Sequence, residues 1–358
     1  MGKLGMPRID IAFKQLSASI IERSGKGRLA LILADETADK PKWQLFKELS
    51  EVVAGDFSED NARFIKEAFI AGANEVLAVR IKKTETVQEH AVPILKGQIF
   101  DWVALAVETK ALQDEVANFV IAFNKNTNRK IKGLVYNATD PDNMHVVNFV
   151  TSKFYTDDFV ENPGWKLIPR IAGLLAGVPF NMAATYWKVP GVVAVEEPQD
   201  LDAAVNGGKL FLFNDIDVIR VARGVNSLVT IDANHTDDMK SIAVVETMDL
   251  IMRDIHEAFK VYIGKFKNKY DNQCLFITAV NAYFAELATK DILDNKYDNH
   301  CTVDVAAQRQ AWQAVKPEAA KWSDEQIRSS AFKREVFLLG KIKVLDAVED
   351  LTFTINMV

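Results

Sequence analysis

The residues of this chain that could carry chemistry are few and widely spaced. Five histidines (His90, His145, His235, His256, His300) never fall three or four apart, the spacing that brings two imidazoles to one metal on a helix. His300 and Cys301 are adjacent, and neighbours on a strand point to opposite faces, so they do not read as a shared ligand pair. Gly25-Lys26-Gly27 opens like a dinucleotide fingerprint, but Ala30 stands where the third glycine belongs, and the segment precedes a strand instead of following one. There is no P-loop, nucleophile elbow or zinc-protease motif. Asp237-Asp238 sits where a helix starts, which favours acids through the helix dipole. Asp157-Asp158 is a second acidic pair, and Asp215-Ile216-Asp217 is read as a hairpin turn. The pentapeptides beginning at Tyr270 and Tyr297 echo each other and read as two Asp-Asn turns, each ending in a cysteine, Cys274 and Cys301. No catalytic, cofactor-binding or metal-binding residue is assigned, and no cofactor is expected.

The elements that would have to position any site alternate between strand and helix. Leu29 to Leu33 is apolar on both faces, the pattern of a buried strand. Ser58 is the expected N-cap of a helix from Glu59 to Ala71, closed by Gly72. Strands are expected at Glu75–Ile81, Trp102–Val107 and Leu134–Asn137, with a helix at Leu112–Asn124. Ile168 to Ala176 reads as an apolar helix, Val205 to Gly208 as a tight turn, and Leu210–Phe213 with Val218–Ala222 as a hairpin reversing at Asn214-Asp215. Thr236 or Asp237 is the expected cap of a long helix with Val244, Met248, Ile251, Ile255, Ala258, Phe259 and Tyr262 on one face. A second long helix is expected near Asn272–Ala288. Such alternation argues for an α/β (α+β mixed) layer architecture.

Composition excludes several classes. At 358 residues the chain has room for about two domains. Its net charge of −6 is a poor match to nucleic acid. Two cysteines rule out a disulfide scaffold, and a cytoplasmic origin argues against a bond between them. No apolar run approaches a membrane span, and the first residues lack the features of a signal peptide.

Both ends of the sequence alternate with period two. Ile9, Ile11 and Phe13 share one face of Pro7–Lys14. Phe337 to Leu345 includes Ile342 and Val344, and Leu351, Phe353, Ile355 and Met357 alternate with polar residues after a polar turn at Asp346–Asp350. The last strand carries no proline and no charge, the usual guards of a free edge. Two readings are open: each terminal strand pairs within its own subunit, or it is donated to a neighbour and the chain is a polymer subunit.

Several segments resemble the tail sheath proteins of contractile phage tails and tail-like bacteriocins. They are Gly5 to Lys14 with Glu22 to Gly27, Gly164 to Gly177, Arg223-Gly224-Val225-Asn226-Ser227-Leu228, and Lys240 to Gly264. Arg223 to Leu228 is close to a sheath hallmark in which the fifth residue is more often threonine; here it is Ser227. The chain lacks the large insertions of the bigger sheaths and resembles the short form found in R-type particles and defective prophages.

The resemblance implies the sheath fold: an N-terminal linking arm (1–25), an outer α/β domain (26–222), an inner C-terminal domain facing a tube (223–335) and C-terminal linking strands (336–358). It implies a structural subunit, not an enzyme, stacked in six-membered rings and contracting from a metastable extended state. Implied partners are further copies of the chain, an inner tail tube protein, and baseplate and tail terminator or collar proteins, with no nucleic acid and no membrane insertion. Assembly is expected in the bacterial cytoplasm, within a virion tail or a released particle. The intersubunit strands would use Ile9, Ile11, Phe13, Ile342, Val344, Phe353 and Ile355. Gly25, Gly27 and Gly340 are hinge candidates, and a capped helix from Ser323 to Glu335 with Arg328, Lys333 and Arg334 is the candidate tube attachment. The alternative is an α/β enzyme or ligand-binding protein whose pocket the sequence does not reveal.

Overall fold

A computed structural model of the chain describes residues 27–216 and 218–357. Pro7–Lys14, with Ile9, Ile11 and Phe13, and the hinge candidate Gly25 lie outside them. The described chain divides into two compact units, one of residues 27–248 with 346–357, the other of Asp249–Leu345.

In chain order the first unit contains β1 (Arg28–Ala34), β2 (Trp43–Phe46), β3 (Glu75–Ile81), β4 (Trp102–Leu105), β5 (Lys132–Tyr136), β6 (Val146–Phe149), β7 (Lys153–Tyr155), β8 (Glu161–Pro163), β9 (Ala194–Val195), β10 (Lys209–Leu210), β11 (Leu212–Asp215) and β12 (Val218–Val221). Its helices are α1 (Glu59–Ala71), α2 (Val92–Lys96), α3 (Lys110–Asn126), α4 (Ile168–Gly177) and α5 (Leu201–Asn206). The main sheet runs β10-β6-β5-β4-β1-β3-β2, parallel except for β2. This doubly wound order places crossover helices on both faces. Leu29, Leu31 and Leu33 accordingly pack in one layer with Phe64 and Ile65 of α1 and Ile171 and Leu175 of α4. Ala30 and Ile32 pack in the other with Val116 and Val120 of α3.

Local signals act as expected in α1. The Ser58 side chain accepts from Asn61 N, and Gly72, at φ 130°, ends the helix. Gly173 lets α4 lie against α1: a Cβ there would stand 2.8 Å from the Cα of Ala68.

Three expectations in this unit are corrected. The β11–β12 hairpin pairs Asp215 with Val218, so Asn214 and Asp215 lie in the strand and the reversal comes after them, beginning at Ile216. Asn214 is committed elsewhere: its side chain bonds Val195 N and O, as a short strand would. Leu210 belongs to the main sheet, and Val205-Asn206 are the last residues of α5, so the expected turn is confined to Gly207-Gly208, where Gly207 N donates to Ala203 O. Thr236 precedes a 3-10 turn, Asp237–Lys240, and the long helix α6 (Ile242–Lys260) starts only after Ser241.

The second unit takes in the end of α6, then α7 (Tyr270–Thr289), β13 (His300–Val303), α8 (Val305–Gln313), α9 (Asp324–Ser329) and β14 (Leu338–Lys341). Phe276 of α7 meets Phe259 and Tyr262 edge to face at 5.2 and 5.0 Å, and Tyr283 donates to Asp254 at 2.8 Å. The expected Ser323–Glu335 helix is cut short at Ser329. Ser323 does cap it, but Gln308 and Trp312 of α8 donate to the carbonyls of Ile327 and Ser330 and hold the chain in a turn beyond. Lys333 sits in that turn at φ 41°.

Candidate assembly interface

In the second unit β13 and β14 form an antiparallel two-stranded sheet, with Cys301 opposite Gly340. The backbone of Cys301 faces away from β14 and is taken by Asn281 of α7: Cys301 N donates to Asn281 Oδ1 at 2.6 Å, and Asn281 Nδ2 to Cys301 O at 3.2 Å. One side-chain amide thus stands in for a third strand. The far edge of β14 has no strand partner among the described residues, and Leu339 on it is 44% exposed. Beyond β14, Ile342 and Val344 are half-buried. Val344 bridges to Leu293, and Lys343 pairs with Asp294 at 2.8 Å. The hinge candidate Gly340 therefore lies inside a paired strand. Gly27, at φ 107°, accepts at its carbonyl from Asn74 N and Glu75 N.

The segment after Asp350 has no ladder partner among the described residues. Phe353 is 76% and Ile355 71% exposed, with Leu351 and Met357 exposed beside them. Its root is fastened to the first unit. Arg223 Nε bonds Glu349 Oε2 at 2.6 Å, while its Nη2 reaches Asp350. Thr185 Oγ1 donates to the other Glu349 oxygen at 2.5 Å, and Ser241 to Asp346 at 3.0 Å. Hydrogen bonds donated to Asp350 and Glu349 hold the Arg223 guanidinium above its usual pKa, although Asp350 is 84% exposed and largely screened by water.

The Arg223–Leu228 hallmark is a knot of hydrogen bonds. Gly224 N donates to Thr185 and its carbonyl accepts from Ile242 N. Asn226 Nδ2 donates to Met239 O, while Asn226 Oδ1 accepts from Leu228 N. Ser227 Oγ donates to Asn143 O. Sequence reasoning missed the fastening of this segment, reading Asp346–Asp350 as a polar turn. The available signal was an acidic pair, Glu349-Asp350, at the foot of an otherwise uncharged strand.

The three residues expected to meet a tube are divided. Arg328 is on α9, whereas Lys333 and Arg334 line a groove of about 510 Å³ with Phe259, Tyr262, Phe266 and Phe276. In the first unit a cavity of about 710 Å³ opens at the C-terminal ends of β5 and β6, where open α/β sheets bind ligands. Several of its polar groups serve the fold: Asn148 holds Ala138 N and O, Ser152 bonds Glu196, Glu197 bonds Asn214, and Asp200 caps α5. Both cysteines are free thiols, and burial pushes the Cys301 thiol up. Among the described residues no three His, Cys, Asp or Glu side chains gather as metal ligands, and no helix is long and apolar enough to cross a membrane.

Residues 234–358 match the phage tail sheath C-terminal domain family. The tail sheath protein of Clostridium phage phiCD119 is 29% identical, over 99% of this chain and 99% of that one. The sheath tail protein of Desulfitobacterium hafniense superposes with a TM-score of 0.70 at 14% identity, covering 96% of this chain and 99% of that one. The helical sheath of the anti-feeding prophage in its contracted state gives 0.70 at 12%, covering 94% of each chain. The mixed α/β fold is therefore that of sheath proteins, and the relatedness extends along the whole sequence rather than through one module. Residues 234–358 thus match the phage tail sheath C-terminal domain family, and the chain as a whole is similar in sequence to a phage tail sheath protein and in fold to the sheaths of contractile systems.

Proposed function

We propose that this protein polymerises as stacked six-membered rings around an inner tube and contracts from a metastable extended state to drive that tube through a bacterial envelope. The observation that carries the reading is the pairing of supply and demand for strands. Leu351–Met357 alternates with period two, carries no charge and is exposed, while β14 leaves one edge of its sheet unpaired among the described residues. A strand added in trans satisfies both sets of backbone groups. Ile342 and Val344, and in the N-terminal arm Ile9, Ile11 and Phe13, would complete the exchange. Flexible strands between subunits let packed units move as nearly rigid bodies during contraction.

The same reading assigns 1–25 and 336–358 to linking arms, 26–222 to the outer domain and 223–335 to the domain facing the tube. Gly25, Gly27 and Gly340 would flank the moving segments. Tube contact through Arg328, Lys333 and Arg334 would be ionic and releasable, since exposed charge pairs are individually weak. Other copies, the tube, and baseplate and collar proteins would be the partners, assembled in the bacterial cytoplasm without catalysis. The alternative, a ligand-binding α/β protein, would use the cavity beside β5 and β6, where Asn148, Ser152, Glu197 and Asp200 are already engaged in holding the fold.

Negative-stain electron microscopy of the full chain and of a truncation after Asp350 tests the reading. Tubes or rings from the full chain and monomers from the truncation are expected. Monomers from both, at every concentration and salt tried, would overturn it.

A further inference from the structure

The Arg223 hallmark has so far explained only its own folding, yet its arginine reaches 126 residues along the chain. We propose that Arg223, Thr185 and Ser241 form a docking site for the acidic segment Asp346–Asp350, and that this tether fixes the point from which the C-terminal arm leaves the subunit. The inference rests on the arm-exchange reading above and adds a positioning residue to it.

Geometry singles out Glu349 as the anchor. Its side chain is 17% exposed and both oxygens are engaged, Oε2 by Arg223 and Oε1 by Thr185. Thr185 is itself oriented, because its hydroxyl also accepts from Gly224 N at 2.8 Å. The guanidinium is spread across Glu349 and Asp350, so neighbouring residues of the segment are held by one side chain. Ser241, just before α6, takes the other end of the segment through Asp346. After Asp350 no hydrogen bond among the described residues ties the chain down, and Leu351, Phe353, Ile355 and Met357 stand exposed. Fastened at its root and free beyond it, the arm searches a small volume for its partner strand. That raises its effective concentration there.

The test combines a local readout with an assembly readout on the full chain. Endoproteinase Glu-C cuts after Glu349, and release of the fragment 350–358 reports whether that residue is held. Arg223→Ala is expected to speed this release about tenfold, the scale of one lost charge-assisted bond, and to lower polymer yield in parallel. Arg223→Lys should restore part of both. The double reversal Arg223→Glu with Glu349→Arg should regain polymer that either single change loses. A structural role alone would not produce that recovery.

If Arg223→Ala disturbs folding, Glu349→Gln leaves Arg223, Thr185 and Ser241 in place and is read by polymer yield, which should fall; an unchanged yield overturns the positioning role. Equal cleavage of wild type and Arg223→Ala overturns the tether. Faster cleavage with unchanged polymer yield overturns its positioning role. A wild-type chain that never polymerises overturns the arm reading and the positioning role with it, while the cleavage rates still decide whether the tether exists.

Discussion

Trp102 and Glu246 lie 144 residues apart in sequence and meet inside the first unit, where the indole Nε1 donates to Glu246 Oε1 at 2.7 Å. Lys132 Nζ stands 3.4 Å from the same oxygen. All three side chains are buried, so the start of α6 is held to β4 and β5 by charge and hydrogen bonding as well as by apolar packing. Removing the carboxylate with Glu246→Ala takes a counter-charge from a buried ammonium. It should cost about 3 kcal/mol, against about 1–2 kcal/mol for Trp102→Phe, which leaves the acid one donor short. Urea midpoints at unchanged m-value measure both.

Gly173 offers a packing test. Alanine there has no room against the Ala68 backbone, so Gly173→Ala should separate α4 from α1 at a cost of about 3 kcal/mol, the upper end of overpacking. Gly97 is the control: its added Cβ would meet nothing nearer than Ile94 O at 3.5 Å. Gly97→Ala should therefore be neutral or slightly stabilising. Equal losses at both positions would refute close helix contact as the cause.

Acid should act through Asp35. Burial raises its pKa, but hydrogen bonds from Asn61, Thr37 and Ser58 outweigh that and bring it from 3.8 to about 2. Because the folded value is depressed, the unfolded chain takes up the proton first as pH falls. The stabilisation is whole above about pH 4 and drains away towards pH 2. Asp35→Asn should lose about 2 kcal/mol at neutral pH and show a flatter stability curve between pH 4 and pH 2 than wild type. A parallel curve would show that Asp35 is not the titrating group.

The arm should be dispensable for folding. Phe353→Ser with Ile355→Ser changes only exposed side chains of the described chain. The melting temperature of the monomer should stay put while sedimenting polymer is lost. A coupled fall in melting temperature would mean that these residues pack within their own subunit.

What the sequence made legible is what local physics decides. Leu29–Leu33 could only be a strand buried on both faces, and Ser58 and Gly72 bracket α1 by short-range hydrogen bonding and a positive φ. Where it misled, a distant partner had outbid a local preference. Asn214 is a good turn former, but Val195 claims its side chain, so the reversal passes to Ile216, a β-branched residue at φ 55°. The run after Ser329 has helical composition, but Gln308 and Trp312 occupy the carbonyls that another turn needs. The tail clamp was hidden for the same reason: Arg223 and Glu349 become neighbours only once the chain has folded.

The exposed run Leu351–Met357 also bears on supply. A segment of this composition is sticky towards any open backbone edge, not only the intended one. Every free subunit is then a hazard whose residence time matters, and a net charge of −6 gives only modest repulsion between copies. Overproduction without a growing polymer to consume the chains should yield amorphous aggregate; on the proposed arm exchange, the ratio of subunits to growing ends, more than the strength of any single contact, would then set how cleanly a particle is built.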